Sequence, residues 1–313
     1  MDLRIIFMGT PEFAVQSLEI LVENKFNVVA VITAPDKPQG RGQQLTASPV
    51  RACAMRHAIP VLQPTNLKSP EFIDELKSFN ANLQVVVAFR MLPEVVWSMP
   101  SIGTFNLHAS LLPKYRGAAP INWAIIKGEK ETGVTTFFLK HEIDTGSIIF
   151  QEREPIYPHD DAGSLYDRLM KKGSHLVLKT VKAVQAQDYP STPQSTHVEM
   201  NHAPKIFKET CEINWNQTSE DVRNFVRGLS PYPAAWTVLQ GKTFKIFTVQ
   251  HLPTGQAGVA FNIQDSSGPG TVKTDNKDYL YVKTLDGWIA VEELQPEGKR
   301  RMKIQEFFRG NKI

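Results

Sequence analysis

Asn106 and His108 stand two residues apart in F-N-L-H-A-S-L-L-P-K-Y-R-G, residues 105–117. On an extended strand that spacing sends both side chains out on one face. A carboxamide beside an imidazole can donate two hydrogen bonds to a single oxygen, and the imidazole can also carry a proton. Such a pair suits a reaction in which negative charge builds up on an oxygen atom. Asp144, in H-E-I-D-T-G, is a third group of interest. A turn aspartate commonly accepts backbone N–H bonds. Beside His108, its carboxylate would instead orient the ring and favour the imidazolium. Spacing alone leaves both roles open.

For the pair to reach a ligand, its strand must end close to it. Residues 103–109 read as such a strand, running into a Ser-to-Pro turn. Upstream, residues 3–9, 27–33 and 83–89 are continuous apolar runs, and helical spacing is found at 11–24 and near 49–57 and 70–78. Unbroken apolar strands alternating with helices predict a parallel sheet covered on both faces, a Rossmann-like α/β domain. Ligands bind such sheets beyond the carboxyl ends of the strands, which is where Asn106 and His108 fall. The turn F-M-G-T-P at 7–11 has only Gly9 where dinucleotide enzymes carry G-x-G-x-x-G. NAD is therefore disfavoured, and Gly9 reads as a tight strand-to-helix turn. Residues 133–139 and 147–152 predict a strand pair around Asp144-Thr145-Gly146, and 162–186 a long helix.

Residues 188–204 change character, with Pro190, Pro193 and Pro204 among Ser, Thr, Gln and His. They read as a linker. Beyond them come a helix near 219–229 and short strands at 234–240, 242–249, 279–285 and 288–294, with Gly241, Gly268, Gly270 and Gly287 between them. This pattern predicts a small β-barrel of OB type. The expected organisation is a catalytic domain at 1–189, a linker at 190–205 and an OB-like domain at 206–313. A chain of 313 residues has the length for two domains. A net charge of +3 permits an anionic partner without demanding one. Cys53 and Cys211 share no C-x-x-C spacing, so neither a disulfide nor a zinc site is expected, and a reducing, cytoplasmic setting fits. The apolar run at the start is too short for a signal peptide, and no stretch is long enough to span a membrane.

The segment N-L-H-A-S-L-L-P-K-Y-R-G-A-A-P-I-N-W-A-I-I-K-G, with E-T-G-V-T-T-F and D-T-G downstream, closely resembles the folate-dependent formyltransferases. The resemblance runs from I-I-F-M-G-T-P-E-F-A through P-D-K-P-Q-G-R-G and past the linker to I-N-W and S-P-Y-P-A-A-W. The G-R-G loop and the second domain are most similar to the members that act on tRNA.

That resemblance implies transfer of a formyl group from 10-formyltetrahydrofolate to the α-amino group of initiator methionyl-tRNA, in support of translation initiation. It places the catalytic roles on Asn106, His108 and Asp144, with no metal. It implies a folate pocket lined by Ser110, Leu111, Leu112 and Pro113, an apolar turn whose free backbone groups suit a pterin ring. Phe89 and Arg90 form a second wall, where many relatives carry Tyr-Gly. Lys37 and Arg41 would meet the tRNA acceptor end, although Gln43-Gln44 stands where relatives often have lysines. The cluster Lys299, Arg300 and Arg301 would add phosphate contacts. A monomer without membrane contact is expected. An amino-sugar or glycinamide-ribonucleotide formyltransferase would share the same three catalytic residues. A formyltetrahydrofolate hydrolase, with water in place of the amine, is a more distant rival. A non-catalytic RNA-binding protein would leave Asn106 and His108 unexplained.

Overall fold

A computed structural model describes residues 1–39, 44–142, 144–195, 201–252 and 267–313. These residues form two compact units interleaved along the chain: Met1–Gly117, Thr132–Pro155 and Tyr166–His202 in the first, and Ala118–Glu131, Ile156–Leu165 and Ala203–Ile313 in the second. The division differs from a cut at 190–205. Two segments from before that point, 118–131 and 156–165, belong with the C-terminal residues.

In chain order the first unit carries β1 (Arg4–Gly9), α1 (Glu12–Glu23), β2 (Asn27–Ile32), β3 (Lys37–Gln39), β4 (Gln44–Thr46), α2 (Pro49–Arg56), β5 (Val61–Leu62), α3 (Pro70–Ser78), β6 (Leu83–Val87), α4 (Glu94–Trp97), β7 (Gly103–His108) and β8 (Arg116–Gly117). After α5 (Pro120–Ile126) come β9 (Glu131–Phe138), β10 (Ile148–Pro155) and the long α6 (Ala162–Ala186). Seven strands make one sheet in the order β10-β9-β7-β6-β1-β2-β5. The five strands from β7 to β5 are parallel, and β9 returns antiparallel to β7. Two of the continuous apolar runs are buried nearly throughout, β6 at every residue and β1 at all but Arg4, while β2 is buried only over Ala30–Ile32.

Serine–proline steps start two of the covering helices. Ser48 and Ser69 each accept the N–H of the third residue onward, with a proline in the first helical position. Leu169, Leu176, Val177, Val181 and Val184 form the buried stripe of α6. Gly9 closes the β1–α1 turn. A Cβ there would meet Ala14 Cβ at 2.6 Å and the Val87 carbonyl at 3.0 Å, so close packing of strand and helix explains this glycine.

Phe105 on β7 is fully buried and meets Phe138 edge-on, with ring centroids 6.5 Å apart. It lies on the face opposite Asn106 and His108. Phe105→Ala is expected to destabilise the protein by about 3–5 kcal/mol, the usual cost of emptying an aromatic site in a core. Denaturant unfolding would show it as a lower midpoint.

The second unit holds α5, β11 (His202–Ala203, shared at the boundary), α7 (Ser219–Leu229), β12 (Ala235–Leu239), β13 (Lys242–His251), β14 (Val272–Thr274), β15 (Leu280–Lys283), β16 (Trp288–Pro296), β17 (Met302–Lys303) and α8 (Ile304–Phe308). Its strands form an antiparallel sheet in the order β12-β13-β16-β15-β14, with β17 also on β16. This is the expected small antiparallel module. Val222, Val226 and Leu229 of α7 join Phe244, Ile246, Ile289 and Phe307 in its core. Within this unit α5 is tied to α7: Asn122 Nδ2 donates to the Gly228 carbonyl at 2.8 Å, and Gly228 leaves room for Ile126. That packing accounts for 118–131 belonging here. Among the described residues no helix is long and apolar enough to cross a membrane.

Candidate active site

The register of the sheet brings three strand ends together. Gly9 aligns with Val87, and Val87 with Leu107, so the residues that follow β1, β6 and β7 emerge at one edge. Asn106 and His108 lie on β7 at that edge, opposite Phe137 and Thr135 of β9. Asn106 is half-buried, and among the described residues its carboxamide has no hydrogen-bond partner. His108 is buried. Its Nε2 lies 2.8 Å from the Tyr115 carbonyl, and its Nδ1 3.9 Å from Asp144 Oδ2. The latter is an ion-pair distance rather than a hydrogen bond. The Nε2–H tautomer donates to the Tyr115 carbonyl, while Nδ1 faces the Asp144 carboxylate beyond hydrogen-bond reach.

Asp144 reaches His108 through a turn in the β9–β10 connection. Its φ is +55°, a left-handed conformation that is costly for a non-glycine residue. Gly117 N–H donates to Asp144 Oδ2 at 3.1 Å. Gly146 is required because a Cβ there would collide with the carbonyl of Phe138. The meeting of Asp144 with His108, which spacing left open, is thus present in the fold.

The turn after β7 corrects one expectation. Its backbone groups are largely engaged by neighbouring side chains. Ser110 Oγ donates to the Lys114 carbonyl at 2.6 Å, and the Ser110 carbonyl accepts from Thr135 Oγ1 at 2.6 Å. Leu112 N–H donates to Thr135 Oγ1 at 3.2 Å, and the Leu112 carbonyl accepts from Gln151 Nε2 at 2.9 Å. The Leu111 carbonyl takes the Lys114 N–H at 3.1 Å. Leu112 and Pro113 are buried and Leu111 half-buried, so the turn presents a shaped backbone rather than a row of free polar groups. Thr135 and Gln151 produce this result. Thr135 lies on β9 within the segment E-T-G-V-T-T-F and Gln151 on β10, and neither was among the residues expected at the site.

At the end of β6, Phe89 is half-buried and Arg90 exposed. The Arg90 guanidinium donates to the Thr65 carbonyl at 3.0 Å and to the Pro64 carbonyl, tying this wall to the loop after β5. Met91, beside it, is an exposed apolar side chain at 71%.

Of the residues assigned to tRNA, Lys37 is exposed on β3. Arg41, with Gly40, Gly42 and Gln43, lies outside the described residues. Lys299, Arg300 and Arg301 are exposed on the second unit. Two of them already have carboxylate partners: Arg300 pairs with Glu306, and Arg301 pairs with Glu293 while stacking over Phe247 at 4.5 Å. The positive charge offered there is smaller than the sequence cluster implied.

Cys53 and Cys211 are free and buried, and burial pushes both thiols up, so neither is a poised nucleophile. Glu19, Cys53 and His57 bring ligand atoms within 4.8 Å of one another on α1 and at the end of α2. Arg56 Nη2 forms an ion pair with Glu19 Oε1 at 2.6 Å beside them.

An α/β sheet with a polar pair at its carboxyl edge, joined to a small antiparallel module, defines a two-unit enzyme architecture, and family models resolve its identity. Residues 3–181 match the formyl transferase model, and residues 205–312 match the formyl transferase C-terminal domain. The chain belongs to the formyl transferase family. It is 53% identical over 317 residues to methionyl-tRNA formyltransferase of Bacteroides fragilis, covering 99% of this chain and 95% of that one. Among solved structures, the N-formyltransferase from Helicobacter canadensis, in complex with folinic acid and dTDP-3-aminofucose, matches with TM-score 0.66 at 22% identity, covering 94% of this chain and 99% of that one. HypX from Aquifex aeolicus, in complex with tetrahydrofolic acid, matches with TM-score 0.65 at 19% identity over 99% of this chain. The chain spans about half of the HypX length, 48%. At these identities the two solved structures share the fold.

Proposed function

We propose that the chain transfers the formyl group of 10-formyltetrahydrofolate to the α-amino group of initiator methionyl-tRNA in the cytoplasm. One arrangement supports the chemistry: the Asn106 carboxamide, without a hydrogen-bond partner among the described residues, beside His108, with Asp144 behind the ring, at an open sheet edge. The tRNA acceptor is supported by full-length similarity to the Bacteroides fragilis methionyl-tRNA formyltransferase.

The folate supplies an activated formyl carbon, and Leu111, Phe89 and Met91 offer apolar surface for its ring system. Asn106 Nδ2 donates to the formyl oxygen as the attacking amine turns the carbon tetrahedral and charge collects on that oxygen. His108 joins it once Nε2 exchanges the Tyr115 carbonyl for that oxygen. Asp144 stabilises the charged ring. The new N–C bond forms in that step; collapse of the tetrahedral intermediate then breaks the C–N bond to the folate nitrogen, which departs in tetrahydrofolate carrying the proton that the amine gives up, passed through His108, Asp144 or a water.

The test offers purified protein and the formyl donor two acceptors, charged initiator tRNA and an amino-sugar nucleotide. Formyl incorporation confined to the tRNA is expected. Incorporation confined to the sugar would replace the proposed acceptor, and formate release without any acceptor would indicate a hydrolase.

A second outcome follows from Lys37, Arg41, Lys299, Arg300 and Arg301. Each neutralised phosphate adds about 0.9 to the slope of log KM against log salt. With Arg300 and Arg301 already ion-paired, the expected slope is roughly 2 to 3 for the tRNA and close to zero for the folate. Steady-state kinetics across a salt series measures both, and equal slopes would remove the tRNA assignment from these residues.

A further inference from the structure

Gln194 lies in the proline-rich stretch after α6, and of residues 191–195 it is the one that is not exposed. Its Nε2 donates to two carbonyls of the Asp144 turn, Asp144 O at 2.7 Å and Gly146 O at 2.9 Å. Its Oε1 accepts from Arg116, from Nε at 3.2 Å and Nη2 at 2.5 Å. The stretch is anchored beside it by Thr192, which exchanges both backbone hydrogen bonds with Ile148 at 2.8 and 2.9 Å. One carboxamide therefore joins the two segments that place the Asp144 carboxylate. These are the turn at 144–146, which carries it in a left-handed conformation, and the strand Arg116–Gly117, whose N–H it accepts.

A non-glycine residue keeps such a φ only where its surroundings over-determine it. Gly146 supplies room on one side, and Gln194 supplies two donors on the other. From this geometry we infer that Gln194 is a positioning residue for formyl transfer, acting through Asp144 on His108. The inference rests on the catalytic reading of Asp144 proposed above. The chemistry asks for an amide here. A glutamate would still accept from Arg116 but has no N–H for the two carbonyls, and an alanine would lose both ends.

The experiment measures kcat and KM for Gln194→Ala and Gln194→Glu, each in the native and the Asp144→Asn background, with thermal unfolding as a control on folding. Displacement of a catalytic group by about 1 Å costs on the order of 10²-fold. Both variants should lose kcat on that scale, with both KM values within about two-fold of the native enzyme. In the Asp144→Asn background Gln194→Ala should add less than about three-fold, because its route of action is already cut. A Gln194→Glu enzyme with native turnover would overturn the inference, since Arg116 alone would then suffice. An equal loss in both backgrounds would also overturn it, as a general structural role produces that pattern. Native turnover in Asp144→Asn alone would instead remove the reading of Asp144, and the inference with it.

Discussion

Asn106→Ala should lower kcat for formyl transfer by about 10²- to 10³-fold, the usual loss when one donor to a developing oxyanion is removed. Thermal stability should scarcely move. The Asn106 carboxamide is half-buried and has no hydrogen-bond partner among the described residues, so its removal orphans no buried group. A residue that matters to turnover and contributes little to folding is the signature of a group kept for chemistry. Asn106→Asp sharpens the test, because it preserves shape while replacing a donor with a negative charge facing the same oxygen. Its kcat should fall at least as far as that of the alanine variant. Single-turnover rates at saturating folate and acceptor measure both. Turnover within three-fold of native for either variant would remove Asn106 from the mechanism.

Much of this site could be read from the chain because its main residues are neighbours in sequence. Asn106 and His108 share a face through the two-residue repeat of a strand, and their position at the sheet edge follows from the turn that ends it. The apolar runs of β1, β2 and β6 and the 25-residue stripe of α6 were equally plain. The features that were not legible depend on pairing between distant segments. Asp144 meets His108 only because β9 returns antiparallel beside β7 and Gly117 holds the carboxylate. The two- and three-residue strands β3, β4, β5 and β8 exist by virtue of their partners and have no period of their own. Arg300 and Arg301 looked like free charge because Glu306 and Glu293, which neutralise them, are six and eight residues away. Gln194 was hidden for a related reason. A polar, proline-rich composition describes a linker, and nothing in it marks Gln194 as a side chain that turns inward.

His108→Ala should reduce kcat by about 10²- to 10⁴-fold, the range for loss of a proton-transferring side chain. It should also lower stability by about 1–3 kcal/mol, because the buried Tyr115 carbonyl loses its 2.8 Å partner. Stability and turnover are separated by Asp144→Asn, whose carboxamide oxygen can still accept the Gly117 N–H while its charge is gone. Opposite unit charges about 4 Å apart attract by about 4 kcal/mol at an effective dielectric of 20. Discounted for partial solvent access, the lost charge should cost about 10- to 10³-fold in turnover. The double variant decides between two arrangements. If Asp144 acts only by supporting the imidazolium, its substitution has nothing left to support once His108 is gone, and the double variant should be no slower than His108→Ala alone. Multiplicative losses would mean that Asp144 meets the substrate amine directly, and the 3.9 Å approach to His108 would then be incidental to catalysis.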